Sequence, residues 1–387
     1  MISKYSSTKS DGSVGIYLHV PFCKSRCAYC DFFSSTLGRE ARTAYVDRLC
    51  REIGYRSHSA EGRRVATIYW GGGTPSVLTS RERERVFEVI SDRYAVEGNA
   101  EITLEANPDD VDGDFARSLA ASPVNRVSMG VQTFDDNILR TIGRRHSSRQ
   151  AIEAIDSLLQ NGLGNISIDL IYGLPGQTRQ GWESDLSKAL SLPITHLSAY
   201  TLMYEEGTLM TKWRDEGRIA ETDDEEIISM YNLLTERCRR EGFEHYEISN
   251  FAKSGFRSRH NSSYWHGIPY LGFGPGAHSY DGRRRRRSND CDIRSYVSSV
   301  GDVPHHVEVI SDDELYDEMV MTSLRTAEGI DLTEVEDIYG KGCRDSLLQI
   351  AHRYLDSGTL VMERNRLFFS EAGFLLSDMV MADLMKI

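Results

Sequence analysis

The chain has 387 residues, of which 58 are acidic and 45 basic, giving a formal net charge of -13 at neutral pH. Hydrophobic residues make up 40%, enough to fill one large α/β domain and a smaller one. The acidic balance argues against a general nucleic-acid binder, because phosphate contacts need a basic surface. The first residues lack an apolar signal-peptide core, and no apolar stretch approaches the roughly 20 residues that cross a bilayer. We therefore expect a cytoplasmic protein with at most peripheral membrane contact.

Six β-rich runs alternate with helix-like segments over the first half of the chain: SVGIYLHV, ATIYW, EITLEA, RVSMGV, ISIDLIYG and HLSAYTL. This alternation predicts a parallel sheet of six β/α units, arranged as an open or closed barrel. Hydrophobic periodicity predicts helices over 41–55, 80–94 and 148–161, the last ended by Gly162. In such sheets, ligand-binding residues collect at the carboxyl ends of the strands.

The first run is followed at once by HVPFCKSRCAYCDFF, which places Cys23, Cys27 and Cys30 at the carboxyl end of the first strand. Three thiolates can hold three irons of a cubane cluster and leave the fourth iron open, whereas four close a ferredoxin cluster. A three-cysteine zinc site with a distant histidine, or a chance grouping, is the alternative. The remaining cysteines do not suggest a disulfide framework, because they are scattered at Cys50, Cys238, Cys291 and Cys343.

The second run ends in IYWGGGTPS. Without β-carbons, the backbone at Gly71, Gly72 and Gly73 can approach a ligand closely. Its amides and carbonyls, just before Thr74, would suit the ammonium and carboxylate groups of S-adenosylmethionine (SAM), which could chelate an open iron. A plain strand-to-helix turn is the alternative.

Polar side chains stand at the ends of three later runs, at Glu105, Gln132 and Asp169. Each alone is as well explained by a helix cap or a turn. Three of them in successive units favour one shared polar ligand, such as the ribose and amino-acid groups of SAM. Arg144, which we expect in a following helix, is a further candidate.

The segment SRHNSSYWHGIPY combines histidines with aromatic residues, which suits a flat aromatic ligand. His260 could bind haem iron, with Tyr264 and Trp265 packing on the macrocycle. A buried, hydrogen-bonded histidine is the usual alternative, and composition alone favours it.

After about Pro304 the pattern changes to two helical segments, a hairpin in TLVMERNRLFFS and a last helix, which resembles a winged-helix module. Residues 311–387 include 16 acidic and 7 basic residues, so domain packing or partner docking is a better expectation than DNA binding. The five arginines at 283–287 predict a solvated loop, with gripping of propionates or an acidic surface as the alternative.

Six of these segments resemble successive motifs of the HemN/HemW family of radical SAM proteins: HVPFCKSRCAYCDFF, WGGGTPS, LEANPDD, SMGVQTFDD, IDLIYGLPGQT and HNSSYW. They run in order over 15–280, and SLRTAEGIDL resembles part of the family's terminal domain. The resemblance implies an α/β fold, a radical SAM partial (β/α)6 barrel with a 4Fe-4S cluster on the three cysteines and SAM as exchangeable ligand. It also implies that the SAM pocket is lined by Tyr17, Tyr29, Gly72, Gly73, Thr74, Glu105, Gln132, Arg144 and Asp169.

Two departures bear on the branch within that family. Phe32 stands where its coproporphyrinogen dehydrogenases carry a further cysteine, and only 22 residues precede Cys23, where those enzymes have a longer extension. Both features resemble the haem-chaperone branch, for which HNSSYW is the proposed haem-binding sequence. The resemblance thus favours His260 as a haem ligand.

The expected function is a haem chaperone that passes haem to acceptors such as respiratory enzymes, with flavodoxin or ferredoxin as low-potential electron donor. The alternatives are oxidative decarboxylation of coproporphyrinogen III to protoporphyrinogen IX and a radical SAM reaction on another substrate, so enzymatic activity is left open. The expected division is an N-terminal tail at 1–14, the core barrel at 15–220, a haem- or porphyrin-site region at 221–303 and a C-terminal winged-helix-like domain at 304–387.

Overall fold

The structure, a computed structural model, describes residues 12–386, so most of the predicted N-terminal tail lies outside the described residues. Within this range the strands are β1 (Ser13–Val20), β2 (Arg64–Gly72), β3 (Val96–Ala106), β4 (Arg126–Gln132), β5 (Ile166–Tyr172), β6 (His196–Thr201), β7 (Glu244–Glu247), β8 (Asn250–Ala252), β9 (Tyr270–Phe273), β10 (His278–Tyr280), β11 (Arg285–Asn289), β12 (His305–Val309), β13 (Ile330–Asp331), β14 (Leu360–Glu363) and β15 (Arg366–Phe369).

The helices of the same range are α1 (Arg39–Tyr55), α2 (Ser80–Arg93), α3 (Gly113–Ala120), α4 (Asp136–Thr141), α5 (Ser148–Gln160), α6 (Arg179–Ser191), α7 (Leu209–Asp215), α8 (Asp224–Arg240), α9 (Arg259–Trp265), α10 (Ile293–Ser298), α11 (Asp312–Leu324), α12 (Leu332–Tyr339), α13 (Lys341–Asp356) and α14 (Ser377–Leu384). None of these helices is both long enough and apolar enough to cross a bilayer.

The main sheet has the strand order β12-β11-β10-β9-β1-β2-β3-β4-β5-β6-β8-β7. Strands β1 to β6 are parallel neighbours, and β9 adds to β1 in parallel. The strands beyond β9 and β6 pair antiparallel. The predicted parallel α/β sheet is therefore confirmed, and each predicted run forms one of its first six strands. Gly162, with φ of 86°, follows α5 as predicted.

The two faces of β1 to β6 differ in chemistry because side chains alternate along a strand. One face carries the apolar residues that pack into the core, for example Leu18, Trp70, Leu104 and Ile168. The other face, here called the inner face, is polar and includes Thr67, Glu101, Thr103, Glu105, Arg126, Ser128, Ser167, Asp169, His196 and Ser198. Barrel interiors are usually filled by branched apolar residues. A polar inner face is therefore suited to a polar ligand.

The C-terminal part contains α11 to α14 and a small sheet in the order β13-β15-β14. Its predicted helices and hairpin are present, and the prediction missed β13 and α12. An ion pair of 2.7 Å between Arg325 and the buried Glu247, and a bridge from Glu247 to Thr326, join this part to β7.

The arginine run does not form the predicted solvated loop, because its last three members belong to β11. Arg286 pairs with Glu318 at 2.8 Å, and Arg287 pairs with Asp302 at 2.7 Å. Arg284 also pairs with Asp312. The acidic partners from neighbouring segments explain why so many arginines can lie in one short strand.

Candidate functional site

The three clustered cysteines lie on the loop between β1 and α1, at the carboxyl end of the sheet, as predicted. The loop is held by its backbone, since Cys23 N–H donates to the carbonyl of Ser35 and Ala28 N–H to that of Ile142, each at 2.9 Å. Such anchors fix the loop before any ligand is bound.

The cysteine thiols have polar neighbours that suit a metal cluster. Thr74 Oγ1 lies 3.3 Å from Cys23 Sγ, and Arg144 Nη1 lies 3.5 Å from Cys27 Sγ. Burial raises the pKa of Cys30 to about 11, and the nearby thiols of Cys27 and Cys23 act in the same direction. The three thiols are therefore close enough to influence one another.

Among residues 12–386, no three His, Cys, Asp or Glu side chains are grouped to hold a metal ion. A zinc site needs four ligand atoms that converge at about 2.0–2.3 Å from one ion. In a cubane cluster each thiolate binds its own iron, so the three sulfurs need not converge. The donor set, three free thiols on one loop, fits a cluster of this kind.

The glycines at the end of β2 are required first by the protein's own packing. A β-carbon on Gly72, whose φ is 107°, would lie 2.8 Å from the His19 ring, and one on Gly73 would lie 2.8 Å from the carbonyl oxygen of Phe22. A β-carbon on Gly71 would lie 3.0 Å from Tyr17. The cysteine loop and β1 therefore occupy part of the space beside these glycines, and the approach of a ligand to their backbone stays a prediction.

His19 is a residue of this site that the sequence reasoning missed. Its Nε2 lies 2.9 Å from the carbonyl of Phe33, and since a carbonyl only accepts, Nε2 carries the proton. Nδ1 then accepts from the hydroxyl of Tyr17 at 3.1 Å. Burial lowers the pKa of His19, which favours this neutral form. The position of His19 two residues after Tyr17 in one strand was the signal that would have revealed it.

Two half-buried carboxyl groups, Glu105 and Asp169, lie on the inner face. Tyr69 donates to Glu105 at 2.8 Å, and Ser128 donates to Asp169 at 3.3 Å. Burial raises the pKa of Glu105 to about 7 and that of Asp169 to about 6. The prediction that Asp169 stands at the end of its strand is wrong, because β5 continues three residues further, to Tyr172.

Gln132 has a backbone conformation that is rare for its residue type. Its φ is 71°, and a β-bulge between Gly130 and Gln132 interrupts the pairing of β4 with β5. A non-glycine residue in this region costs about 1–3 kcal/mol and occurs most often at functional sites. The β-bulge therefore changes the direction of the buried Gln132 side chain at the end of β4.

Arg144 lies in the loop between α4 and α5 and not in a helix, so that expectation is wrong. The helix stops before it, because Gly143 takes a φ of 79°. One of its nitrogens, Nη2, donates to Asn107 Oδ1 at 2.7 Å and to the carbonyl of Gly130. Arg144 thereby connects the bulged strand to the cysteine loop.

Tyr29, between the last two cysteines, packs against an apolar cluster that includes Ala28, Ile142 and Met210. The structure thus places the following predicted residues around the carboxyl end of the sheet or on its inner face: Tyr17, Tyr29, Gly72, Gly73, Thr74, Glu105, Gln132, Arg144 and Asp169.

His260 is placed differently from what a haem ligand requires. It lies on α9 with no exposed surface, and burial lowers its pKa to about 3. Its Nδ1 lies 2.7 Å from Thr67 Oγ1, and its Nε2 lies 2.8 Å from the hydroxyl of Tyr264. Both ring nitrogens are engaged, so neither faces a ligand in this conformation. The geometry matches the alternative of a buried, hydrogen-bonded histidine.

Helix α9 covers the amino-terminal part of the inner face. The backbone N–H groups of Arg259 and His260 donate to the carboxylate of Glu101, both at 3.0 Å. The His260 ring also lies close to Gly15 of β1. The guanidinium of Arg325 lies over the ring of Trp265, 4.7 Å from its centre.

Comparison with known proteins agrees with this architecture. The radical SAM superfamily model matches residues 17–189, and the HemN C-terminal domain model matches residues 310–376. Heme chaperone HemW of Lactococcus lactis is 33% identical over 365 residues, which are 94% of this chain and 95% of that protein. The chain belongs to the HemW family.

Another HemW, that of Escherichia coli, is 34% identical over 289 residues, or 73% of this chain and 75% of that protein. The solved structure of coproporphyrinogen III oxidase HemN from Escherichia coli has a TM-score of 0.83 and 21% identity, and covers 99% of this chain and 92% of its own. At that identity the likeness establishes the fold shared by HemN and the HemW family. Radical SAM membership implies a 4Fe-4S cluster and SAM as cofactors.

Proposed function

We propose that the protein binds haem and passes it to acceptor haemoproteins, with a cluster and SAM at the carboxyl end of the sheet supporting the transfer. The observation that carries this proposal is the 33% identity to a Heme chaperone HemW over 94% of this chain and 95% of that protein. Phe32 is exposed and stands where the coproporphyrinogen dehydrogenases of the family have a further cysteine. This difference supports the function of a haem chaperone over that of a dehydrogenase.

In this proposal Cys23, Cys27 and Cys30 hold the cluster and leave one iron open for SAM. When bound, the two groups supply one-electron chemistry at the methionine end of SAM. Arg144, fixed by Asn107 beside Cys27, is placed to pair with the ligand's carboxylate. Glu105 is placed to accept hydrogen bonds from hydroxyl or ammonium groups of the ligand. The other proposed pocket residues are Tyr17, Tyr29, Gly72, Gly73, Thr74, Gln132 and Asp169.

We place haem against an apolar rim beside the cysteine loop. Phe32 and Met203 are each 64% exposed, and Leu209 is 53% exposed. The segment after β6 reaches the cysteine loop, because Met210 N–H donates to the carbonyl of Ala28 at 2.8 Å. Exposed apolar surface of this kind is stabilised when a flat apolar ligand covers it.

The prediction that His260 binds haem iron carries an additional cost. Helix α9 would have to release both Thr67 and Tyr264 before a ring nitrogen became free. Haem binding at the rim needs no such rearrangement. Haem affinity measured in Met203→Ala and in His260→Ala therefore distinguishes binding at the rim from binding at His260.

The test uses the full chain, reconstituted anaerobically with iron and sulfide. We expect haem to bind with a defined Soret band and to transfer to an apo-haemoprotein, and we expect no decarboxylation of coproporphyrinogen III with SAM and a reductant. Met203→Ala should weaken haem binding, whereas Val300→Ala, which removes an apolar side chain that is 96% exposed elsewhere, should not. Sustained porphyrinogen turnover would overturn the proposal in favour of the dehydrogenase.

We further propose that the acceptors include respiratory enzymes and that flavodoxin or ferredoxin supplies electrons to the cluster. The proposed location is the cytoplasm. All seven cysteines are free, which supports a reducing compartment. The net charge of -13 argues against a nucleic-acid partner.

A further inference from the structure

The inner face carries one arginine that has no role in the proposed cluster, SAM or haem sites. Arg126, the first residue of β4, is 2% exposed, and its Nε has no hydrogen-bond partner among the described residues. Its register neighbour on β3, Thr103, is fully buried, and the Thr103 hydroxyl also has no partner in that part of the chain. A buried polar atom of a charged group that lacks a hydrogen-bond partner is costly. Its presence therefore needs an explanation in the surroundings.

Arg126 interacts electrostatically with titratable groups of several elements: Tyr69 of β2, Glu105 of β3, Asp169 of β5, His196 of β6, Tyr246 of β7 and His260 of α9. Glu101 of β3 lies on the same inner face. Both histidines are neutral, because burial and the charge of Arg126 lower their pKa. The oxygens of Glu101 already accept from the backbone of α9. Glu101, Glu105 and Asp169 are the acids of this group that can balance the guanidinium, and of these Glu105 and Asp169 lie on the side toward the cysteine loop.

Strand register places Glu105 one step above Arg126 on the inner face, and Asp169, the register partner of Gly130, lies further toward the carboxyl ends of the strands. Ser128, two residues after Arg126, is the register partner of Glu105 and donates to Asp169. Glu105 and Ser128 thus form one layer, to which Asp169 is linked by the hydrogen bond from Ser128, and Thr103 and Arg126 form the next layer toward the amino ends of the strands. Successive layers are separated by about 7 Å, and at that distance charges inside a protein still interact.

We propose that Arg126 is a positioning residue of the SAM site, which acts from the layer below to keep Glu105 and Asp169 ionised and able to accept hydrogen bonds from the ligand. The inference rests on the proposed SAM site. An ionised carboxyl group accepts at both oxygens, whereas a protonated one uses an oxygen as donor. Burial raises the pKa of both groups, and the positive charge of Arg126 opposes that rise.

The test measures the dissociation constant for SAM between pH 6 and pH 9 on the reconstituted full chain. Arg126→Gln removes the charge, and Arg126→Lys keeps it. Arg83→Gln is the matched control, because Arg83 is also 2% exposed but is bonded to Leu78 and Ser118 outside the inner face. Infrared titration of the carboxyl bands, without SAM, follows the protonation of Glu105 and Asp169 directly.

In Arg126→Gln we expect SAM affinity to fall about tenfold near pH 6.5, as it would if the carboxyl groups titrated about one pH unit higher, and to recover by pH 9. Arg126→Lys and Arg83→Gln should keep the wild-type pH profile. An unchanged profile in Arg126→Gln, or equal losses at every pH in Gln and Lys variants, would overturn the assignment while leaving the SAM site in place. Absence of SAM binding to the wild type at every pH would overturn both.

Discussion

The hydroxyl of Thr74 lies 3.3 Å from the sulfur of Cys23 and donates to it. A hydrogen bond to a cluster sulfur withdraws electron density and raises the reduction potential. Thr74→Val should therefore lower the potential of the reconstituted cluster by an amount on the order of tens of millivolts. Redox titration followed by electron paramagnetic resonance measures it. Thr74→Ser keeps the hydroxyl and is the control, and an unchanged potential in Thr74→Val would contradict the contact.

The cluster itself gives the simplest prediction. Alanine in place of Cys23, Cys27 or Cys30 should abolish the 4Fe-4S cluster, because each thiolate binds a different iron. Alanine replacement of a cysteine outside the loop should leave iron and sulfide content unchanged, and the four controls are Cys50, Cys238, Cys291 and Cys343. A cluster that survives loss of any loop cysteine would refute the assignment.

Gly73→Ala should disturb the cysteine loop before it affects any ligand. Its β-carbon would lie 2.8 Å from the backbone of Phe22, and overpacking of this kind costs about 1–3 kcal/mol. We expect a lower free energy of unfolding in urea and a lower iron content after reconstitution. Gly38→Ala, where a β-carbon meets nothing within 4 Å, is the control. Normal iron content in Gly73→Ala would show that the loop adapts.

Gln132→Gly should separate stability from ligand binding. Glycine relieves the positive φ of 71°, so we expect the melting temperature of the ligand-free protein to stay the same or rise. The variant also removes a side chain of the proposed SAM pocket, so SAM affinity should fall. A fall in melting temperature together with unchanged SAM affinity would mean that the Gln132 side chain serves packing alone.

His260 should contribute to stability in a pH-dependent way. Its pKa is lowered to about 3 in the folded protein, against about 6.5 in an unfolded chain. Between pH 3 and pH 6.5 the unfolded chain therefore binds a proton on His260 that the folded protein does not bind. The contribution of His260 to the free energy of unfolding is thus complete above about pH 6.5 and declines as the pH falls toward about 3. The decline is at most about 1.4 kcal/mol per pH unit.

His260→Ala should cost about 2–4 kcal/mol at pH 7.5, because it opens a cavity and leaves Thr67 and Tyr264 without a partner. It should also flatten the dependence of the unfolding free energy between pH 7 and pH 5. His306→Ala, whose side chain is 85% exposed, is the control. A stable variant with normal pH dependence but no haem binding would instead support His260 as the haem ligand.

The first six strands could be predicted because each contains apolar residues on one face and is bounded by glycine or turn residues, a local signal. Strand β9 could not, since four residues from Tyr270 to Phe273 become a strand by pairing with β1, far away in the sequence. The position of the cysteine loop could be predicted as well, because the loop directly follows β1 in the sequence. Composition favoured a buried His260, but its hydrogen-bond partner could not be predicted, because Thr67 lies 193 residues away.

Arg144 and His19 illustrate two further limits. The spacing of Arg144 after a helical segment favoured a helix, but the left-handed Gly143 overrides that propensity. His19 looked like one polar residue in an apolar strand, and only the nearby carbonyl of Phe33 fixes its proton on Nε2. The spacing of His19 from Tyr17 indicates a place at the site, but the state of its ring depends on tertiary packing against Phe33.

Helix α9 lies over the amino-terminal part of the inner face, with His260 against Gly15 and Thr67. The amino-terminal end of the inner face is thereby covered, and a ligand of this face can enter from the carboxyl end, beside the cysteine loop. If haem binds at the proposed rim on that side, haem and SAM would use the same side of the sheet, and a bound haem would slow the exchange of SAM.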